Sequence, residues 1–152
     1  MKILYVIIMM LFLGMVSCSE DNLKGYSSSN CIQFDKLSKD STVFSFAYDE
    51  TLESGTVALK LVMISPLVDR DRKYNVKFLQ DESSAQAGVD FEMPAEEQVI
   101  AANDSVAYLN VIVKRNKALK GSAIAVFEVQ VSDDFMPGIE ANRKGRILSR
   151  IN

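Results

Sequence analysis

From residue 31 onward, apolar and polar positions alternate with a period of two. Phe44, Phe46 and Tyr48 alternate with Val43, Ser45 and Ala47. Val57, Leu59, Leu61 and Met63 share one parity, and Tyr74, Val76 and Phe78 share another. Ala107, Leu109, Val111 and Val113 form one face of a segment whose other face carries Tyr108, Asn110 and Lys114. Ala125, Phe127, Val129 and Val131 alternate with Val126, Glu128 and Gln130. A period of two turns successive side chains to opposite faces, which is the pattern of half-buried antiparallel strands. Val, Phe and Tyr suit such positions. Turn signals punctuate the pattern at Ser65-Pro66, the charged run Asp69-Arg70-Asp71-Arg72, Asn116 to Ser122 with Gly121, and Met136-Pro137-Gly138. The expected strands are 31–35, 42–48, 56–65, 72–80, 97–101, 105–114 and 123–132, with 144–151 as an eighth. Many short strands between turns predict an all-β, two-sheet antiparallel sandwich of immunoglobulin type.

The first residues follow another pattern. Lys2 is followed by an uncharged apolar run from Ile3 to Val16, then Ser17 and Cys18. The run is too short to span a bilayer, which takes about 20 apolar residues, and reads as an export signal. Ser17-Cys18 resembles the lipobox of a bacterial lipoprotein, in which the cysteine is acylated and the signal is cut just before it. This divides the chain into a signal at 1–17, a lipidated polar tether at 18–30 and a domain at 31–152. Glu20 and Asp21 resemble the acidic export tag of surface lipoproteins in Bacteroidetes-type bacteria.

The chain has 152 residues, which after loss of the signal fits one domain of about 100–150 residues. Lys and Arg number 17 against 20 Asp and Glu, and the net charge is −3. That balance excludes a nucleic-acid partner, which needs a basic footprint, and electrostatic docking on anionic lipid. The membrane would be held through acyl chains on Cys18. The chain has two cysteines, Cys18 and Cys31. With Cys18 acylated no intrachain disulfide can form, so stability must come from an apolar core. Cys31 is expected to be a small buried hydrophobe at a strand start. With no histidine and no tryptophan, the chain lacks the commonest general base and the largest stacking platform. No nucleophile has an activating partner in the pattern, and the chain is read as non-catalytic.

Ala85-Gln86-Ala87-Gly88-Val89-Asp90-Phe91 resembles the A-x-x-G-x-D-[YF] motif of Calx-beta domains, and the strands around it come in the same order. Gly88 could take a positive φ or a close backbone approach, Asp90 could cap its own turn, and Phe91 could anchor the loop on the core. With the lipobox, Phe44-Ser45-Phe46, the Arg72/Tyr74 strand start and Arg115-Asn116-x-x-Leu119, the resemblance narrows to a family of Bacteroidetes lipoproteins with a Calx-beta-like sandwich. It covers roughly residues 31–150.

That resemblance implies an outer-membrane, lipid-anchored accessory of nutrient or glycan uptake or of a surface assembly, binding a protein partner or a glycan and needing no cofactor. The alternative is a structural or adhesive spacer, for which calcium is the ion to test. Calcium needs six to eight converging oxygens. The sequence places Arg115-Asn116, flanked by Lys114 and Lys117, where the calcium pattern of Calx-beta domains has an acidic pair, so no metal ligands are assigned. Arg115 would instead pin its loop by donating to carbonyls or to a carboxylate. The charged run 69–72 is expected to be a solvated hairpin turn with weak surface pairs. Tyr108 and Phe135 are expected as ordinary surface or secondary packing.

Overall fold

A computed structural model describes residues 30–151. The signal, Cys18 and the tether up to residue 29 lie outside the described residues. The strands in chain order are β1 (Cys31–Phe34), β2 (Ser41–Ser45), β3 (Ser54–Ile64), β4 (Arg72–Phe78), β5 (Glu97–Ile100), β6 (Val106–Lys114), β7 (Ser122–Gln130), β8 (Met136–Pro137) and β9 (Lys144–Arg150). They form two sheets, β6-β3-β1-β8 and β2-β9-β7-β4-β5. The all-β two-sheet sandwich expected from the period-two pattern is the observed architecture.

The alternation explains the packing. Val57, Leu59 and Leu61 of β3 and Ala107, Leu109, Val111 and Val113 of β6 turn inward from the first sheet. Tyr74 and Val76 of β4, Ala125, Phe127 and Val129 of β7, and Ile147 of β9 meet them from the second. Phe78, Phe91 and Phe127 form an aromatic cluster with centroids 4.9 to 5.7 Å apart, a spacing at which tilted and edge-on rings attract.

Most pairings are antiparallel, but two are parallel: β1 with β8, and β2 with β9. The second follows from a strand that changes sheets. β1 pairs with β3 in the first sheet, the chain crosses at residues 35–40, and β2 continues beside β9 in the second. Period two cannot reveal such a crossing, because each half keeps its own alternation. The strand expected over 42–48 therefore ends at Ser45, and Tyr48 does not join the face of Phe44 and Phe46. Phe46 is fully buried, whereas Tyr48 is 94% exposed. β8 adds a two-residue strand that the pattern did not mark.

The chain enters and leaves at opposite ends. Cys31 lies beside Ile64 and Met136 at one end, the entry end. Arg150 lies beside Ser45 and Ser122 at the other, and the Ile151 N–H bonds the Gly121 carbonyl there. The eleven residues of β3 span the distance between them, roughly 35 Å at strand rise.

Candidate functional site

The far end is built from three loops: 46–53, 85–92 and 115–121. Arg115, half-buried just after β6, ties the first loop down. Its guanidinium donates to the carbonyls of Leu52 (2.7 Å), Phe46 (2.7 Å) and Asp49 (2.6 Å) and lies 5.0 Å over the Phe46 ring. Arg suits the position because its planar fork offers several donors in fixed directions and stacks on aromatic faces. Asp49 closes the loop from within, accepting from the Thr51 N–H (2.9 Å) and hydroxyl (2.6 Å). Those bonds, the Thr51 hydroxyl first, hold the Asp49 carboxyl below its ordinary value of 3.8. The Asp49 N–H in turn reaches the Phe46 carbonyl at 3.3 Å.

The second loop is the A-x-x-G-x-D-F segment. Gly88 has φ +82°, in the left-handed region that favours glycine, and its N–H bonds the Phe91 carbonyl. A Cβ at Gly88 would meet nothing within 4 Å, so the glycine serves conformation and not close approach. Asp90 is 5% exposed. One carboxylate oxygen accepts from the Gln86 N–H at 2.7 Å, closing the turn backward, and the other accepts from the Asn116 amide at 2.8 Å. Ala85 and Phe91 are buried at the base of the loop. Asp90 and Asn116 therefore clamp the second loop to the third.

These clamps leave Tyr48 projecting from a loop held on both flanks. Beside it lies a shallow cavity of about 430 Å³, lined by Phe46, Ala47, Glu50, Arg115, Lys117 and Ile151. An exposed ring on a clamped loop, next to charged and backbone polar groups, can meet a ligand with flat apolar faces and hydroxyl edges, or a protein surface. Among the described residues, no group of three or more His, Cys, Asp or Glu is placed to hold a metal ion. The acidic groups lie apart: Asp134 pairs with Arg70 and Glu82 with Lys144.

Several residues differ from the expectation. The run 69–72 is not merely a solvated turn. Arg72 is 2% exposed, donates to the Ser65 hydroxyl (2.7 Å) and the Pro66 and Asp104 carbonyls, and lies 4.9 Å over the ring of Phe135, itself buried. Burial of a cation is tolerated when such partners surround it. Asp71 accepts from the Ala102 N–H at 3.0 Å. Cys31 is half-buried on the outward parity of β1, because Ile32 and Phe34 take the core positions. Tyr108, by contrast, lies as expected on the outer face of β6, 54% exposed. Tyr48, the most exposed aromatic of the loop cluster, was missed because it shares a parity with Phe46. The Asp49-Glu50 pair directly after it was the available signal for a loop.

No curated protein matches the chain. Among solved structures, it is similar to the apo-form Calx CBD1 domain, at 10% identity and a TM-score of 0.56 over 80% of this chain and 98% of that one. It is also similar to the Calx CBD2 domain, at 12% identity and a TM-score of 0.55 over 80% of this chain and 86% of that one. A third is described as a "putative carbohydrate binding protein" from Bacteroides ovatus ATCC 8483, at 10% identity and a TM-score of 0.58. That match covers 80% of this chain but 37% of the other. At such identities the likeness is one of fold, and the fold is Calx-beta-like. The family model described as Domain of unknown function (DUF4843) matches residues 24–150, and the chain belongs to that family.

Proposed function

We propose that the protein is a non-catalytic, lipid-anchored outer-membrane module that presents its far-end loops to a carbohydrate, as an accessory of glycan uptake or of a surface assembly. The observation that carries this reading is Tyr48: a 94% exposed ring on a loop fixed by Arg115 and Asp49, at the end opposite the chain's entry. A loop backbone already held in place loses little freedom on binding, so contact made by the ring it carries counts more fully toward affinity. Aromatic rings stack on the apolar faces of sugars, while Glu50, Lys117 and the loop backbone offer partners to hydroxyls. The carbohydrate-binding description of the B. ovatus neighbour lends support by fold alone. The anchor rests on Ser17-Cys18 and the preceding apolar run. Acyl chains at Cys18 would reach the domain through the polar tether and join it at the entry end.

Thermal melting against a broad polysaccharide panel tests the proposal. A matching glycan should raise the melting temperature by ligand linkage, and Tyr48→Ala should abolish the rise without altering the unliganded melt. A panel with no shift would sink the carbohydrate reading. The anchor is tested separately: the wild type should partition with membranes and Cys18→Ala should not. The spacer alternative is favoured by the opposed ends of the sandwich, and a chain that holds a fused domain away from the membrane yet binds no glycan would favour it.

A further inference from the structure

The far-end cavity is lined by charged groups of both signs, and the fold leaves one group of each sign open. Arg115 spends Nε and Nη2 on the carbonyls of Leu52, Phe46 and Asp49. Its other terminal nitrogen, Nη1, makes no hydrogen bond among the described residues, and the guanidinium forms no ion pair there. Lys117, also in the lining, pairs with Glu53 at 2.9 Å. Asp49 is turned back on Thr51. Glu50 differs from both of its acidic neighbours. It lines the cavity two residues after Tyr48, and among the described residues its carboxylate has neither a hydrogen bond nor an ion pair.

An open donor and an open acceptor in one cavity suit a particular chemistry. A hydroxyl both donates and accepts, whereas a guanidinium only donates and a carboxylate only accepts. Two hydroxyls on neighbouring carbons can therefore donate to Glu50 and accept from Arg115 Nη1 together. A carboxylate on the ligand has no proton to give Glu50 and meets its charge. Arg115 and Lys117 are matched by Glu50 and Glu53, so no excess of positive charge draws an anion in. Resting on the carbohydrate reading of this end, we infer that Glu50 sets its specificity: it selects neutral glycans by accepting from a vicinal diol and turns away uronate-bearing ones.

The test uses matched polymers that differ in charge. Soluble starch, galactomannan and a mixed-linkage β-glucan are each offered native and after oxidation of their primary hydroxyls to carboxylates. The full chain in detergent is titrated as wild type, Tyr48→Ala, Glu50→Gln and Glu50→Lys. The wild type should bind a native polymer about tenfold more tightly than its oxidised form, the scale of one close like-charge contact near a surface. Glu50→Gln should weaken the native polymer about tenfold, the loss of a hydrogen bond to a charged acceptor. Glu50→Lys should reverse the preference, which separates the effect of charge from loss of the oxidised hydroxyl. Because Glu50 holds no partner in the fold, the unliganded melts of both Glu50 variants should match the wild type.

Equal binding of native and oxidised forms overturns the inference, as does a Glu50→Gln chain that binds like the wild type. Either result leaves the carbohydrate reading standing, provided Tyr48→Ala still abolishes binding. Failure of every polymer to bind, or binding indifferent to Tyr48→Ala, overturns that reading and the role of Glu50 with it.

Discussion

The Arg115 guanidinium lies 5.0 Å over the ring of Phe46 and donates a 2.7 Å bond to the carbonyl of the same residue. One side chain thus holds both the ring and the backbone at the point where the chain leaves β2 for the far-end loop. Arg115→Ala should destabilise the fold by about 1–3 kcal/mol, because three carbonyls lose a charged donor. Arg115→Lys should recover little, since an ammonium cannot reproduce the fork or the stacking. Urea denaturation measures both, and a lysine variant as stable as the wild type would refute the geometric argument.

Asp90 should matter to two loops at once. Asp90→Ala leaves the Gln86 N–H and the Asn116 amide without their acceptor, at a cost of about 2–3 kcal/mol. Asn116→Ala should cost less in the Asp90→Ala background than in the wild type, because the shared bond is already gone. A double-mutant cycle reads that coupling directly. Additive costs would show that the two loops are held separately.

These two clamps were legible to different degrees. Arg115 stood after a long apolar strand, where a fork of donors has carbonyls to meet. The partner of Asp90 was not legible, because Asn116 is 26 residues away and no periodicity links them. Arg72 teaches a sharper lesson. It shares the parity of Tyr74 and Val76, so the alternation itself turned it inward. The surrounding charges suggested a solvated turn, but the buried face of β4 decided. Period two likewise located β6 and β7 closely, because both are long and keep one face inward. It failed at Tyr48, where parity continues after the strand has ended. A sheet-switching strand and a two-residue strand such as β8 depend on distant backbone partners, which no local pattern encodes.

Asp134 ties the entry end to pH. The Arg70 guanidinium bonds its carboxylate at 2.5 Å and the Lys73 N–H at 2.8 Å, and together they hold its carboxyl below the ordinary value of 3.8. The unfolded chain, with the ordinary value, takes up the proton first as the pH falls. The contribution is therefore present above about pH 4 and lost as the pH drops through the lower folded value. Melting between pH 6 and about pH 2.5 should show this acid loss, and Asp134→Asn should flatten part of it. An equally steep limb in Asp134→Asn would remove Asp134 from the account.

Gly145 marks a close approach of the two sheets. It is buried in β9, and a Cβ there would fall 2.6 Å from the Phe34 ring of β1. Phe34 is 2% exposed, so its ring has no solvent side to move toward. In a strand with room, replacing glycine by alanine should stabilise by limiting the unfolded chain. Here the clash should reverse the sign, and Gly145→Ala should lose about 1–3 kcal/mol through overpacking. The ring can be tested as the cause. In a Phe34→Leu background, itself less stable, the narrower side chain should let Gly145→Ala cost much less. If the alanine costs the same in both backgrounds, the limit at this position is the backbone of β9 and not the aromatic ring across from it.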